Sequence, residues 1–124
     1  MKPLTLRLPF PPPLSALFTN VPKRGRVPTK RYLTWQRAAM NEIMVQNRPK
    51  RTFPGYVHLH IILGAPDKRE RDWDNHGGKA IGDTLVKMGV IVNDSNRYVR
   101  RGTIEWADVT GCVVTVAPLV MEVA

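Results

Sequence analysis

Three aspartates and a lysine offer the side chains with which this chain could perform catalysis. Asp72 and Asp74 are two residues apart, so in an extended segment their carboxylates project to the same side. Asp94 follows a predicted helix, and the connection could bring it back beside that pair. Three oxygen donors suit Mg²⁺ or Mn²⁺ rather than zinc. Lys79 could then contact a phosphate, or the negative charge that develops on an oxygen.

The distribution of charge favours a cation between these carboxylates. The chain has 19 Lys and Arg against 10 Asp and Glu, a formal net charge of +9. Residues 1–71 hold 14 basic and 3 acidic side chains, whereas residues 72–94 hold 2 basic and 4 acidic ones. Carboxylates repel phosphate from a basic surface, and a bound divalent cation removes that conflict. The alternative is a solvated acidic turn, because an aspartate before a helix is also a common cap.

Length and composition restrict the class of protein. At 124 residues the chain is expected to form one domain, residues 1–124, and its 43% of hydrophobic residues exclude a wholly disordered basic tail. The single cysteine, Cys112, excludes an internal disulfide and a cysteine-based zinc site. No apolar stretch approaches the roughly 20 residues that cross a bilayer, and the start does not resemble a signal peptide. We expect a cytoplasmic protein with a polyanionic partner and no membrane contact.

Hydrophobic periodicity predicts an α+β fold in the order β-α-β-α-β-β, with two helices packed on a mixed β-sheet. Thr34 is the predicted cap of the first helix, and Asp74 or Asn75 is that of the second. Gly89 suits the end of the second helix. The predicted strands cover 4–10, 56–63, 97–106 and 112–117, and the predicted helices cover about 35–47 and 75–88.

A basic segment at about 14–31 is predicted to be a long irregular loop that binds the phosphates of a polyanionic partner. Its prolines and glycine oppose regular structure, and its positive charges are denser than folding requires. Such contacts position a nucleic-acid backbone without reading its sequence. A solvated loop without a ligand is the alternative. The predicted DNA contacts are Lys23, Arg24, Arg26, Lys30 and Arg31 in the loop, Lys68, Arg69 and Arg71 near the acidic pair, and Arg97, Arg100 and Arg101 near the third strand.

The segment D-W-D-N, followed by K-A-x-x-D-x-L-x-K-x-G-V and by N-D, resembles the RusA-type Holliday-junction resolvases. The proline-rich stretch after the first strand and the K-R-Y-L-T segment are also similar to that family. The likeness covers about 6–106 and is most specific across 71–94. It implies a small homodimeric, Mg²⁺-dependent endonuclease of bacteria or their phages, for which Mn²⁺ could substitute, that cuts four-way DNA junctions by paired symmetric nicks. The family's metal ligands and its catalytic lysine fall, position by position, on Asp72, Asp74, Asp94 and Lys79.

The chain departs from the pattern of this family at two places. Three residues separate the asparagine of D-W-D-N from Lys79, where the family commonly has two, and one residue amounts to about 100° of helix rotation. We expect Gly77 and Gly78 to absorb the difference so that Lys79 keeps its place. Asn93 stands at the first position of the family's acidic pair, which leaves Asp94 as the expected ligand.

Other residues near the motif have both a structural and a functional interpretation. Asp83 lies four residues after Lys79 on one helical face, where an ion pair is the simpler prediction and a catalytic role the alternative. His58 and His60 share a strand face, and sheet packing is favoured over a metal site because no third ligand is evident. His76 is expected at a solvated helix start, with a phosphate contact as the alternative.

Trp73 and Cys112 have structural predictions, and the chain as a whole has two alternative functions. Trp73 is expected to point away from the flanking aspartates, into the core or a dimer contact, and Cys112 to be a small core residue. The protein could be an endonuclease for other branched DNA such as flaps, or a non-catalytic nucleic-acid-binding protein. The carboxylates distinguish these classes, because a protein that only binds DNA gains nothing from them.

Overall fold

Apolar side chains alternate with polar ones in four segments, which pair into one mixed β-sheet. A computed structural model describes residues 1–120 of the chain. The fold is α+β, as predicted, with two helices on the main sheet and a separate hairpin of two short strands. In chain order the elements are β1 (Leu4–Leu8), β2 (Phe18–Val21), β3 (Gly25–Pro28), α1 (Lys30–Gln46), β4 (Val57–Leu63), α2 (Gly78–Lys87), β5 (Val99–Trp106) and β6 (Cys112–Pro118).

The main sheet has the strand order β1-β6-β4-β5. β6 is antiparallel to both of its neighbours, and β4 is parallel to β5, with α2 in the connection between them. Alternation puts Leu6, Ile61 and Val114 on the face that packs against the helices, where all three are buried. β5 is one of the two edge strands, and its inner face and that of β4 border an open cavity beside α2.

Each helix buries one apolar stripe on the sheet. Trp35, Ala39 and Ile43 of α1 are buried, as are Ile81 and Leu85 of α2, and all five fall within the two predicted helices. The helices also contact each other, so polar side chains of α1 face the first turns of α2. Within residues 1–120, neither helix is long and apolar enough to cross a membrane.

The prediction of an irregular loop over 14–31 is wrong, because most of that segment is regular. A 3-10 turn at Leu14–Ala16 precedes the hairpin of β2 and β3. Lys23 and Gly25, with φ of 65° and 72°, form the hairpin turn in the left-handed region of backbone conformation. The prolines do not prevent this, since a two-stranded hairpin has only edge strands and an edge position needs no N–H donor. Pro28 is accordingly the last residue of β3.

The first helix begins at Lys30 instead of residue 35, and the predicted cap is wrong. Thr29 is the N-cap, and its Oγ1 accepts a hydrogen bond from the amide of Tyr32 at 3.1 Å. Thr34, the predicted cap, lies inside the helix. Lys30 and Arg31 therefore belong to the first turn of α1 and not to a loop.

The second helix begins at Gly78 instead of residue 75, and neither Asp74 nor Asn75 caps it. Gly77 occupies the N-cap position with a φ of 99°, a backbone conformation that side chains rarely adopt. Gly77 and Gly78 thus lie at the N-terminus of the helix, and their expected role in absorbing an extra residue stays a prediction. Gly89, with a φ of 68°, follows the helix at the predicted position.

Candidate functional site

Lys79 lies in the first turn of α2 and forms an ion pair with Asp83, one turn later. The distance from Nζ to Oδ1 is 3.2 Å, which confirms the predicted intrahelical pair. The other carboxylate oxygen, Oδ2, accepts a hydrogen bond at 3.2 Å from the hydroxyl of Tyr32 on α1. Burial and the Asp83 carboxylate raise the pKa of Tyr32, so the phenol stays protonated and donates this bond. Asp83 therefore connects the ammonium of Lys79 to the neighbouring helix.

A hydrogen-bond network continues from Tyr32 between the two helices. The Nε2 of Gln36 donates to the hydroxyl of Tyr32 at 3.3 Å and to Oγ1 of Thr84 at 3.1 Å. The Nζ of Lys87 donates to Oε1 of Gln36 at 2.9 Å. Within residues 1–120, every buried side-chain nitrogen and oxygen has a hydrogen-bond partner. The network fixes α1 relative to α2, and with it the position of the ion pair on α2.

Asp94 lies in the segment after α2, and its side chain packs back against that helix. Its side chain lies against the backbone at Gly82, where an added Cβ atom would be 3.1 Å from Oδ2. Asp83, Asp94 and Tyr32 border one cavity of about 310 Å³. The charge of Asp94 also contributes to the raised pKa of Tyr32. The carboxylate that shares a cavity with Asp94 is thus that of Asp83, which the sequence did not assign to the predicted metal site.

Asp72 and Asp74 lie in the exposed segment between β4 and α2. Asp74 borders a second cavity, of about 140 Å³, together with Lys79 and Gly78. Asp94 borders a third cavity, of about 290 Å³, which Gly78 also lines. Asp74 and Asp94 are therefore found at two different cavities, which meet at the first residue of α2.

The carboxylates of the predicted metal site are suitable ligands for a hard divalent cation, but they do not lie together in the structure. Carboxylate oxygens are the ligands that Mg²⁺ and Mn²⁺ prefer. In the part of the chain that the structure describes, no three His, Cys, Asp or Glu side chains form a group that could hold a metal ion. Asp72, Asp74 and Asp94 do not form a joint site in this arrangement, and their role as metal ligands stays a prediction.

The basic residues of the hairpin are exposed. Lys23 and Arg24 lie at its turn, and Arg26 lies in β3. The guanidinium of Arg26 stacks over the ring of Phe18, 4.2 Å from the centroid. Phe18 packs edge-on against Tyr32, with ring centroids 5.5 Å apart, and both rings line the cavity of about 310 Å³. The hairpin is therefore anchored beside the carboxylates of that cavity.

The other predicted DNA contacts divide into exposed side chains and a closed ion-pair cluster. Arg69 and Arg71 pair with Asp67 at 3.2 and 3.0 Å. Their hydrogen bonds, that of Arg71 first, hold the pKa of Asp67 well below its usual range. The Arg71 side chain is only 12% exposed and lies over the ring of Phe10, so little of it is open to a phosphate. The exposed side chains are Lys30 and Arg31 on α1, Lys68 after β4, and Arg97, Arg100 and Arg101 around the start of β5.

His76 does not lie where the sequence placed it, and Trp73 lies outside the core, one of its two predicted places. His76 is buried, and its Nδ1 is 3.2 Å from the carbonyl oxygen of Pro11, so the predicted solvated position is wrong. Its ring packs against Phe10 and Trp106, with centroid distances of 4.9 and 6.2 Å. Trp73 is 69% exposed, which excludes a place in the core. The acidic segment is thus attached through His76 and leaves Trp73 at the surface.

The two strand histidines lie on the outer face of the sheet, as predicted. Nε2 of His58 is 2.9 Å from Oγ1 of Thr103, and His60 pairs with Glu105. Burial, followed by the charge of Arg101, lowers the pKa of His58. His58 is therefore neutral at pH 7, and its contacts are those of a residue that joins β4 to β5.

Sequence reasoning did not identify Tyr32 and Gln36 as parts of the site. Tyr32 falls in the segment predicted as a loop, although it lies on the same helical face as Gln36, four residues later. Gln36 also sits beside Trp35 on the buried stripe of α1. A glutamine at an apolar position needs a buried hydrogen-bond partner, and this was the available signal.

Comparison with known proteins adds no family to this description. No protein-family model matches the chain, and no curated protein matches it. The fold and the side chains define a small basic α+β protein in which one helix carries a lysine–aspartate pair and borders cavities lined by further aspartates.

Proposed function

We propose that this protein is a Mg²⁺-dependent endonuclease that hydrolyses phosphodiesters in branched DNA, with four-way junctions as its main substrate. Paired symmetric nicks would be the product, and Mn²⁺ would substitute for Mg²⁺. The observation that carries the proposal is that Asp74, Asp83 and Asp94 line cavities that border α2, and that Lys79 in the first turn of α2 pairs with Asp83. A hairpin that carries only basic charged side chains adjoins them. Carboxylates and a phosphate-attracting surface therefore lie side by side.

The DNA backbone would bind along this basic surface. Residues 1–41 contain no Asp or Glu, so the hairpin and the start of α1 carry uncompensated positive charge. Arg97, Arg100 and Arg101 supply a second exposed group around the start of β5. Such contacts to phosphates give affinity without sequence readout, and they weaken as salt concentration rises. This supports recognition of DNA by its shape and charge.

The chemistry would use the predicted carboxylates and the lysine. Asp72, Asp74 and Asp94 are the proposed ligands and would have to come together to hold the ion, which when bound would supply a nucleophilic hydroxide at neutral pH and offset phosphate charge. The side chain of Lys79 is 46% exposed, so its ammonium can meet a phosphate oxygen on which negative charge develops. Asp83 keeps that ammonium oriented at the helix start until the phosphate arrives.

The assembly and the setting are part of the same proposal. A two-fold homodimer would match the two-fold symmetry of the strands that are cut at a four-way junction. The homodimer, and a place in the cytoplasm of a bacterium or of a phage-infected cell, rest on the resemblance to RusA-type resolvases. Sedimentation of the purified protein with and without a junction would measure the oligomeric state directly.

A synthetic four-way junction, labelled on each strand in turn, tests the activity. Products formed with Mg²⁺, with Mn²⁺ and with EDTA are separated on a denaturing gel. We expect symmetric nicks with either metal and none with EDTA. Asp72→Asn and Asp94→Asn should abolish nicking and leave junction binding intact or tighter, because each removes a charge that repels phosphate. Glu42→Gln, an exposed acidic residue of α1, is the control, and full nicking by Asp72→Asn would refute the assignment.

A second candidate is a protein that binds branched DNA without cutting it. It is favoured by the positions of Asp74 and Asp94, which border different cavities. This candidate predicts junction binding that is indifferent to Mg²⁺ and a junction that stays intact at every metal concentration. The gel described for the nuclease separates the two candidates in one experiment. Labelled flaps and replication-fork substrates on the same gel decide whether the four-way junction is preferred.

A further inference from the structure

Trp73 is an exposed aromatic side chain in the middle of the acidic motif. Its 69% exposure is the largest of any Phe, Trp or Tyr in residues 1–120, whereas Trp35 is buried and Trp106 is partly buried. Tryptophan is a large, mostly apolar residue, so a position at the surface leaves much apolar area in water. The contacts that hold the fold together do not explain why Trp73 lies at the surface.

An open apolar cavity lies beside this side chain. Trp73 lines the cavity of about 290 Å³ between α2 and β5. Leu59 and Ile61 of β4 and Ile104 of β5 contribute apolar side chains to it. Asp94 is the acidic residue in its lining. The cavity therefore offers an apolar surface, a carboxylate and one free aromatic ring.

Two glycines keep the cavity open. An added Cβ atom at Gly78 or at Gly102 would meet no atom within 4 Å. Neither residue has a left-handed backbone conformation, so the backbone itself does not require glycine at either position. Gly102 pairs with Leu59 in the sheet and faces the cavity beside it. A larger side chain at Gly102 would therefore fill the cavity without altering Trp73.

The charges around the cavity favour a ligand in which an uncharged, flat ring is attached to an anionic backbone. Asp94 and the two aspartates that flank Trp73 repel a phosphate, whereas the exposed Arg100, which follows the cavity residue Val99 in the edge strand β5, attracts one. A nucleobase attached to its backbone meets both conditions. Its uncharged ring can stack on the indole, its amino N–H can donate to a carboxylate, and its phosphate can lie towards Arg100.

We propose that Trp73 and this cavity form a binding site for one unstacked nucleobase at the branch point of the DNA. The inference rests on the proposed function in one respect, because it needs branched DNA as the ligand. Inside a duplex both faces of a base are covered by its neighbours, so only a base at a branch has a free face for the indole. The site gives the protein a means to prefer branched over continuous duplex DNA that phosphate contacts cannot supply.

Junctions that carry 2-aminopurine test this site in EDTA, where no cutting occurs. The fluorescent base is placed at the branch point in one junction and in the middle of an arm in another. We expect wild-type protein to change the emission at the branch point only. Trp73→Ala should lose that change and bind the junction about tenfold more weakly, the effect of removing one base–aromatic stack, with duplex affinity unchanged.

Three further variants separate stacking from other effects. Trp73→Phe should retain most of the fluorescence change, because a smaller ring still stacks. Gly102→Val should lose it, because the valine occupies the cavity, and valine suits a strand. Val45→Ala, which alters another exposed apolar residue at the far end of α1, should behave as wild type. Since Trp73 is exposed, its variants test the site even where Gly102→Val does not fold.

The possible results have distinct meanings. If wild type binds junctions but Trp73→Ala keeps its affinity and its fluorescence change, the base site is refuted while the proposed function stands. If Trp73→Ala instead dissociates a dimer in sedimentation experiments, Trp73 is a contact between two copies and the base site is also refuted. If wild type does not bind branched DNA, the proposed function fails, and the base site fails with it.

Discussion

Asp94 packs against the backbone of α2 at Gly82, so closely that any side chain at residue 82 would require Asp94 to shift by a few tenths of an ångström. An added Cβ atom at residue 82 would lie 3.1 Å from Oδ2 and 3.2 Å from Cβ of Asp94. Both distances are shorter than ordinary van der Waals contact between such atoms. Gly82 is buried and its backbone is helical, so the requirement for glycine comes from this contact and not from a turn. The position of one proposed metal ligand thus depends on the absence of a side chain in the neighbouring helix.

Replacement of Gly82 by alanine should displace Asp94 without unfolding the protein. Alanine is favoured over glycine in a helix by about 1 kcal/mol, and Asp94 lies in an exposed segment that can shift by a few tenths of an ångström. We expect the free energy of unfolding to stay the same or to rise by up to about 1 kcal/mol, while junction nicking falls. Urea denaturation and the nicking gel measure the two effects. Gly55→Ala, where an added Cβ atom meets no neighbour, is the control, and undiminished nicking by Gly82→Ala would contradict this role.

Removal of the Tyr32 hydroxyl should destabilise the contact between the helices. This hydroxyl donates to Asp83 and accepts from Gln36. In Tyr32→Phe both partners lose a hydrogen bond, although Gln36 keeps Thr84. We expect the free energy of unfolding to fall by about 1–2 kcal/mol in urea denaturation. Tyr56→Phe changes an exposed tyrosine and should have little effect, so equal losses in the two variants would argue against the network.

The thiol of Cys112 should make stability depend on pH in alkaline solution. Cys112 is buried, as predicted, and burial raises the pKa of its thiol to about 12 from the ordinary value of 9.0. Above pH 9 the unfolded chain loses this proton and the folded chain keeps it. The free energy of unfolding should therefore fall as pH rises from 9 towards 12, by at most about 1.4 kcal/mol per pH unit.

Urea denaturation of wild type and Cys112→Ala at several pH values isolates this contribution. Tyr32 titrates in both proteins, so its effect cancels in the difference between them. The stability advantage of wild type over the variant should be constant below pH 9 and should shrink above it. A difference that is independent of pH would show that the thiol titrates alike in the folded and unfolded chains.

Loss of basic charge from the hairpin should weaken binding of junctions and lower its salt dependence. Arg24 and Arg26 are exposed, so Arg24→Ala with Arg26→Ala should lower stability by no more than the contact of Arg26 with the ring of Phe18, about 1 kcal/mol. Each lost phosphate contact should lower the slope of log affinity against log salt by about 0.9. Arg48→Ala with Lys50→Ala removes equal charge beyond the opposite end of α1, whose 17 residues span about 25 Å. Identical slopes for the two double variants would exclude the hairpin as a DNA contact.

The local pattern predicted the four main strands and the existence of both helices, and it failed where prolines and a glycine were interpreted as signs of a loop. Alternation is a property of a strand itself, so 56–63 and 112–117 were found almost to the residue. The hairpin was missed because its prolines and basic residues resemble a solvated loop, while its regularity depends on the anchoring of Phe18 against Tyr32. The start of α1 was misplaced because two threonines can cap a helix, and only packing selects between them.

For the candidate site, the amino-acid sequence determined which chemistry is available and the tertiary structure decided which groups meet. The spacing of Lys79 and Asp83 fixed their ion pair, because residues four apart on a helix are always neighbours. Asp94 meets Asp83 at one cavity while Asp74 lies at another, and Trp73 is exposed while His76 is buried. These relationships join segments that are distant in the chain, so they depend on how loops close and side chains pack. The hydrophobic periodicity of the sequence is local, so it carries no information about how loops close or how side chains of distant segments pack.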